Sequence, residues 1–139
     1  MQYAINWFID KHIIYAHPQG MLRMGDAAAI SQLLYTMLDT SRAEPDSIHL
    51  IVDLQHLNHL PASVKDVYRV VTHMNHPALG WTLMLTKTQQ IRFFVRALSQ
   101  LTQTKVQIFD AMDDLLDFIS ETDPSVCDLV QMKRFTLRV

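Results

Sequence analysis

Seven histidines stand in the sequence, and four of them form two pairs of equal spacing, His56-x-x-His59 and His73-x-x-His76. Neutral imidazoles are common zinc ligands, so the two pairs read first as halves of one metal site. The helix predicted between them argues otherwise. About 12 helical residues at 1.5 Å each hold the pairs on the order of 18 Å apart, while each ligand must lie about 2 Å from the ion. The expectation is ordinary loop and surface histidines, with no metal and no cofactor.

The other reactive side chains meet similar objections. The single cysteine, Cys127, is followed by Asp128. An anionic neighbour raises a thiol pKa, so a structural cysteine is expected rather than a nucleophile. Asp110, Asp113, Asp114, Asp117, Glu121 and Asp123 make an acidic run with no base inside it. Paired acids can cleave glycosides, but here Leu115, Leu116 and Ile119 claim the inward face. The run is expected to be a solvated acidic face that a basic partner surface would recognise. Arg92 and Arg96, with Lys87 before them, read as an exposed helix face. No Gly-x-Ser-x-Gly, glycine-rich nucleotide loop or His-Glu-x-x-His is present, and no enzyme is expected.

The elements that must position these residues follow from periodicity. Tyr3, Ile5, Trp7 and Ile9 alternate with less apolar neighbours, and after a turn at Asp10-Lys11 a second strand runs from His12 to Ala16; so short a connection implies an antiparallel hairpin. Pro18 interrupts the pattern. Ala27, Ile30, Leu33, Leu34, Met37 and Leu38 recur at helical spacing behind Asp26, a suitable N-cap. Ile48 to Leu54 is an apolar run of strand length. Ser63 opens a helix carrying Val64, Val67, Val71 and Met74, and Asn75-His76-Pro77 stops it. Trp81 to Leu85 and Lys105 to Phe109 read as strands, Thr88 to Gln103 and Ala111 to Ser120 as helices. Alternating strands and helices imply a largely parallel α/β sheet opened by the hairpin. Residues 1–124 make one domain, and 125–139 a C-terminal tail. Phe135, Leu137 and Val139 alternate there with Thr136 and Arg138, which suggests an edge strand or a dimer contact.

Composition agrees with a single domain. The chain has 139 residues, 49% of them hydrophobic and 19% charged, with a net charge of −2. That suffices to bury roughly 68% of the unfolded surface. Charge so near zero excludes a disordered acidic or basic tail and gives no support to nucleic-acid binding. One cysteine points to a reducing, cytoplasmic setting. No stretch spans a membrane, and Met1-Gln2-Tyr3-Ala4 lacks the basic start of a signal peptide. Of the eight methionines, Met37, Met74, Met84 and Met112 fall on inward-facing stripe or strand positions. Met21 and Met24, beside Leu22, do not, and they suggest an exposed apolar loop for a partner or a second copy.

The segment Ile51 to Val71, IVDLQHLNHLPASVKDVYRVV, resembles the core signature of the STAS family (sulfate-transporter and anti-sigma-factor-antagonist domains). There a buried strand ends in Asp-Leu, and after a short loop Asp-Ser-Ser-Gly opens a helix. Gly25-Asp26-Ala27-Ala28 resembles that family's preceding helix start. The resemblance covers roughly His12 to Ile119 and implies a SpoIIAA-like fold: a mainly parallel sheet of about five strands, an N-terminal antiparallel hairpin and about four helices. It also implies a non-catalytic module whose serine a partner kinase phosphorylates. Aligned residue by residue, the family's Asp falls on Pro61, its phosphorylated serine on Ala62, its second serine on Ser63 and its glycine on Val64. Only Ser63 matches, one position after the switch, and with Asp66 it makes a capping-box-like helix start of its own.

Taken together, these observations predict a STAS-like regulatory or interaction module that binds a protein partner, whether a regulator, a kinase-like protein or a second copy, without obligatory phosphorylation. Its expected surface comprises Met21, Met24, His56, His59, Leu60, Ser63 and Lys65, at the carboxyl ends of neighbouring strands. Two alternatives stand beside it: a small-molecule or lipid carrier of the same fold, and a phosphorylation-regulated antagonist using Ser63.

Overall fold

The computed structural model describes residues 2–60 and 63–138. Strands β1 (Gln2–Ile9) and β2 (Ile13–Met21) form the expected antiparallel hairpin, closed at Lys11 with φ +64°. Then follow α1 (Met24–Ser41), β3 (Ile48–Asp53), β4 (Leu57–His59), α2 (Val64–Val70), β5 (Leu79–Leu85), α3 (Gln89–Thr102), β6 (Val106–Phe109), α4 (Met112–Thr122) and α5 (Cys127–Arg138). The sheet runs β1-β2-β3-β5-β6, antiparallel at the hairpin and parallel thereafter. This is the mainly parallel α/β architecture expected from the sequence, with one short strand and one helix more.

The helices divide between two faces. One apolar cluster joins Ile13, Ile51 and Leu83 to Leu115, Leu116 and Ile119 of α4. On the opposite face Ile14, Ala16, Leu50 and Met84 meet α1 and α3, with α2 packed beside them. Strand alternation causes the split, since Ile13 and Ile14, or Leu50 and Ile51, point to opposite sides of the sheet. At Ile9 the alternation fails. A register shift between Trp7 and Ile9 leaves Ile5 and Trp7 on the α1 side while Ile9 joins Phe8 on the α4 side.

Three local expectations are corrected and a fourth is refined. The C-terminal segment is the helix α5, not an edge strand: Val126 and Val130, both 0% exposed, sit in the α4-side core. Their four-residue spacing is a helical stripe that anchors the segment, whereas the alternation read at its end falls on exposed Phe135 and Leu137, and Val139 lies outside the described residues. Strand β2 does not stop at Pro18 but continues to Met21. The proline, lacking an N–H, falls between the last β3 partner at Ala16 and the first β4 partner at Gly20. Helix α1 begins at Met24, and Asp26 lies inside its first turn, where the carboxylate takes the Arg23 backbone N–H at 3.1 Å. The acidic run is solvent-exposed as expected, with Asp110, Asp113 and Asp117 each more than half exposed, but it is partly paired with bases. Arg134 of α5 donates to Asp117 (2.6 Å) and Asp113 (3.1 Å), and Arg92 pairs with Asp110.

Histidine 49 ties the α4 end to the sheet. Its ring is 3% exposed and accepts the Trp81 N–H at Nδ1 (3.0 Å). Nε2 must therefore carry the hydrogen, and it donates to Asp123 at 2.8 Å. Burial alone would raise the Asp123 carboxyl, but hydrogen bonds from Ser125 and His49 hold it below its ordinary value. Gly80 makes room: a Cβ there would lie 2.7 Å from His49 Nδ1 and 2.6 Å from the Asp46 carbonyl oxygen.

Candidate functional site

The carboxyl ends of β2 and β3 present two different sites, one on each face. Gly20 pairs with Leu57 and Met21 with His59, across a bulge that Gly20 accommodates at φ +88°. The Gly20 and Leu22 N–H groups donate to the His56 and His59 carbonyls, each at 3.0 Å. The segment from Gln55 to Leu60 is thereby fastened to the end of β2. Strand β4 is too short to register as a hydrophobic pattern, which is why the sequence reads as a loop there.

This pairing gathers several expected partner residues. Met21 is 49% exposed, His56 and His59 are exposed, and Lys65 is exposed on the first turn of α2. Leu60 is half-buried against Leu54 and Leu57. Ser63 is the N-cap of α2, its hydroxyl accepting the Asp66 N–H at 3.4 Å. Pro61 and Ala62, where the resemblance would place the Asp and the phosphorylated serine, lie outside the described residues. Met24 is a correction. It packs in the α2–α3 cluster with Val67, Val71 and Met74, and Leu22 joins Leu54 and Leu57, so Met21 alone of the three is exposed. The start of α1 turns Met24 inward.

Behind this rim, on the α1–α3 face, lies an apolar cavity of about 110 Å³. Ala16, Pro18, Val52, Leu60, Val67 and Met84 contribute to its wall, and Ser31 and His73 are polar exceptions. The Ser31 hydroxyl lies 2.8 Å from His73 Nδ1 and accepts the His73 backbone N–H at 3.2 Å. Its oxygen takes the backbone hydrogen, so its own proton can go to Nδ1. Burial pulls the His73 pKa down to about 4; at neutral pH the ring is uncharged. The expectation of a surface histidine is thus overturned for His73. Its neighbour His76 binds Asp39 at 3.3 Å and meets Tyr35 edge-on.

On the α4 side of the same strand ends the groups are polar. Asp53, 4% exposed, accepts the Tyr15 hydroxyl at 2.5 Å and the Gln55 N–H at 3.1 Å. Burial, followed by the hydrogen bond to Asp53 and its charge, pushes the Tyr15 phenol well above its ordinary value. His17 Nε2 lies 2.9 Å from His56 Nδ1. His56 therefore meets His17, 39 positions away, while His73 and His76 hold other partners. Tyr15, His17, Asp53 and Ser31 were not singled out by sequence reasoning, and His73 was read only as half of a discarded metal pair. The one signal was the strand ending in Asp53-Leu54.

No protein-family model matches the chain, and a search of curated proteins finds no relative. Solved structures do match. An uncharacterized protein with a SpoIIAA-like fold from Shewanella loihica PV-4, of the DUF3478 family, superposes with a TM-score of 0.61 at 17% identity, over 84% of this chain and 91% of its own. The anti-sigma factor antagonist SpoIIAA, in its unphosphorylated form, gives 0.55 at 14% identity, over 87% and 97%. An anti-sigma factor antagonist from Mycobacterium paratuberculosis gives 0.55 at 12%, over 85% and 94%. The chain has a STAS-like, SpoIIAA-like fold. Likeness at these identities extends to the fold alone.

Proposed function

We propose that this STAS-like domain is a non-catalytic binding module that meets a protein partner through the carboxyl ends of β2 and β3 and the start of α2. The observation that carries the reading is the β2–β4 pairing, which joins exposed Met21 to His59 and holds both beside Leu60. A large apolar side chain about half exposed on a hydrogen-bonded rim is what an interface core requires. The structural neighbours with printed roles are anti-sigma factor antagonists, which agrees with a protein partner. Ser63 already caps α2, and this favours partner binding without phosphorylation over a switch at that serine.

A second reading, a carrier of a small apolar molecule, is favoured by the cavity behind Leu60. Buried apolar space of order 150 Å³ binds benzene-sized ligands. One experiment separates the readings. Native mass spectrometry of protein purified under mild conditions is combined with affinity capture by wild type, Met21→Asp and Ser63→Ala. A stoichiometric partner retained by Ser63→Ala and lost with Met21→Asp supports the interaction module. Capture indifferent to Met21→Asp counts against this rim, and an apolar small molecule that survives desalting transfers the function to the cavity.

A further inference from the structure

We propose that His17, Asp53 and His56 form a binding site for a divalent transition-metal cation of zinc's class. Ligand atoms from these three residues all lie within 4.8 Å of one another. Two imidazoles and one carboxylate are a sufficient protein ligand set for zinc, with solvent completing a tetrahedron. Oxygen-seeking magnesium or calcium has little use for two nitrogens.

The separation of the nitrogens supports this assignment. His17 Nε2 and His56 Nδ1 stand 2.9 Å apart, so one ring donates its hydrogen to the other. Zinc bonds of about 2.0–2.1 Å at a tetrahedral angle need roughly 3.3 Å between ligand nitrogens. Opening the pair by a few tenths of an ångström suffices, and His56 is exposed on a connecting segment that can give. A cation takes the place of the shared hydrogen, which moves by exchange with solvent to the donor ring's other nitrogen, so that both lone pairs are directed at the metal.

The outer shell is also in place. Metal-bound carboxylates are held by hydrogen-bond donors, and Asp53 has the Tyr15 hydroxyl on Oδ2 and the Gln55 N–H and side-chain amide on Oδ1. Asp53 is buried, His17 half-buried and His56 exposed, which gives an ion a route from solvent to a fixed anionic base. The ion would clip the Gln55–Leu60 segment to β2 and β3 at once, reinforcing the β2–β4 pairing. The site uses one histidine of the His56-x-x-His59 pair and ligands from two other segments. It does not depend on the proposed partner surface being correct.

The test is isothermal titration of tag-free protein with Zn²⁺, with Mg²⁺ as comparison, supported by the visible spectrum of the Co²⁺-substituted protein. One equivalent of Zn²⁺ is expected, with negligible Mg²⁺ binding and the intense d–d bands of tetrahedral cobalt. His17→Ala and His56→Ala should each weaken binding by more than about tenfold, and Tyr15→Phe, which removes an outer-shell donor, by about 10- to 100-fold. His12→Ala, at the far end of β2, should bind as wild type. Circular dichroism confirms that each variant is folded. Zn²⁺ binding unchanged in folded His17→Ala and His56→Ala, or no stoichiometric binding to wild type, overturns the proposal.

Discussion

The two sides of the same strand ends differ as much as any two regions of this molecule. Ala16 and Val52 look toward α1–α3 into an apolar cavity; Tyr15, His17 and Asp53 face the other way, into hydrogen bonds. Adjacent residues on one strand thus serve opposite chemistries. The period of two in an extended chain alone achieves this. A binding rim with an apolar back and a polar front needs no long loop when each strand supplies both.

The difference can be broken most severely by placing a charge on the wrong side. Ala16→Asp buries an unpaired carboxylate in the cavity wall and should cost more than about 3 kcal/mol, while His17→Ala, one residue on, should cost below about 1 kcal/mol. Urea unfolding of the two variants measures this contrast, and equal losses would deny that the sides are distinct. A smaller effect comes from acid. The folded His73 pKa, about 4, lies below the unfolded value near 6.5. The stability linked to it is therefore complete above pH 6.5 and lost as pH falls toward 4, by about 3 kcal/mol. Unfolding curves at pH 7 and 4.5 should separate more for wild type than for His73→Gln, and equal separation in the two proteins would show that His73 does not carry this loss. The smallest effect sharpens the cavity itself. Ala16→Val adds two methyl groups, which in a filled core costs about 1–3 kcal/mol. Here it should change stability by less than about 0.5 kcal/mol, because the space is already open. A loss of the usual size would mean the cavity wall cannot accept the side chain.

Charge offers a second contrast, between order along the chain and order in space. The acids from Asp110 to Asp123 and the bases Lys133 and Arg134 look like a polarised surface when read in sequence. The turn between α4 and α5 folds them together, so Arg134 bridges Asp113 and Asp117. Helix α5 also leaves large apolar side chains in solvent: Met132 and Phe135 are 68% and 73% exposed.

Much of the fold was legible in advance, because the signals that define it are local. Alternation marked the hairpin, and the 3.6-residue stripe marked α1, α3 and α4; the run Ile48–Asp53 carried apolar residues for both faces. Where reading failed, a local signal was weak or outvoted. β4 has three residues, and the alternation of Phe135 and Leu137 counted for less than the buried stripe of Val126 and Val130. The candidate site was legible only in part. His56, His59 and Leu60 were named because they fall in one stretch of sequence, and Met21 because it falls off the inward stripes. Their true neighbours, His17 for His56 and Ser31 for His73, lie 39 and 42 positions away.

By itself, then, the sequence determined the number and type of most elements and the STAS-like order that joins them. The tertiary structure decided which histidine met which partner, where a cavity opened and which acids were neutralised. The physical reason is range. Periodicity and capping act within a few residues, whereas a hydrogen bond between two strands depends on register, and register is settled by the packing of the whole sheet against its helices.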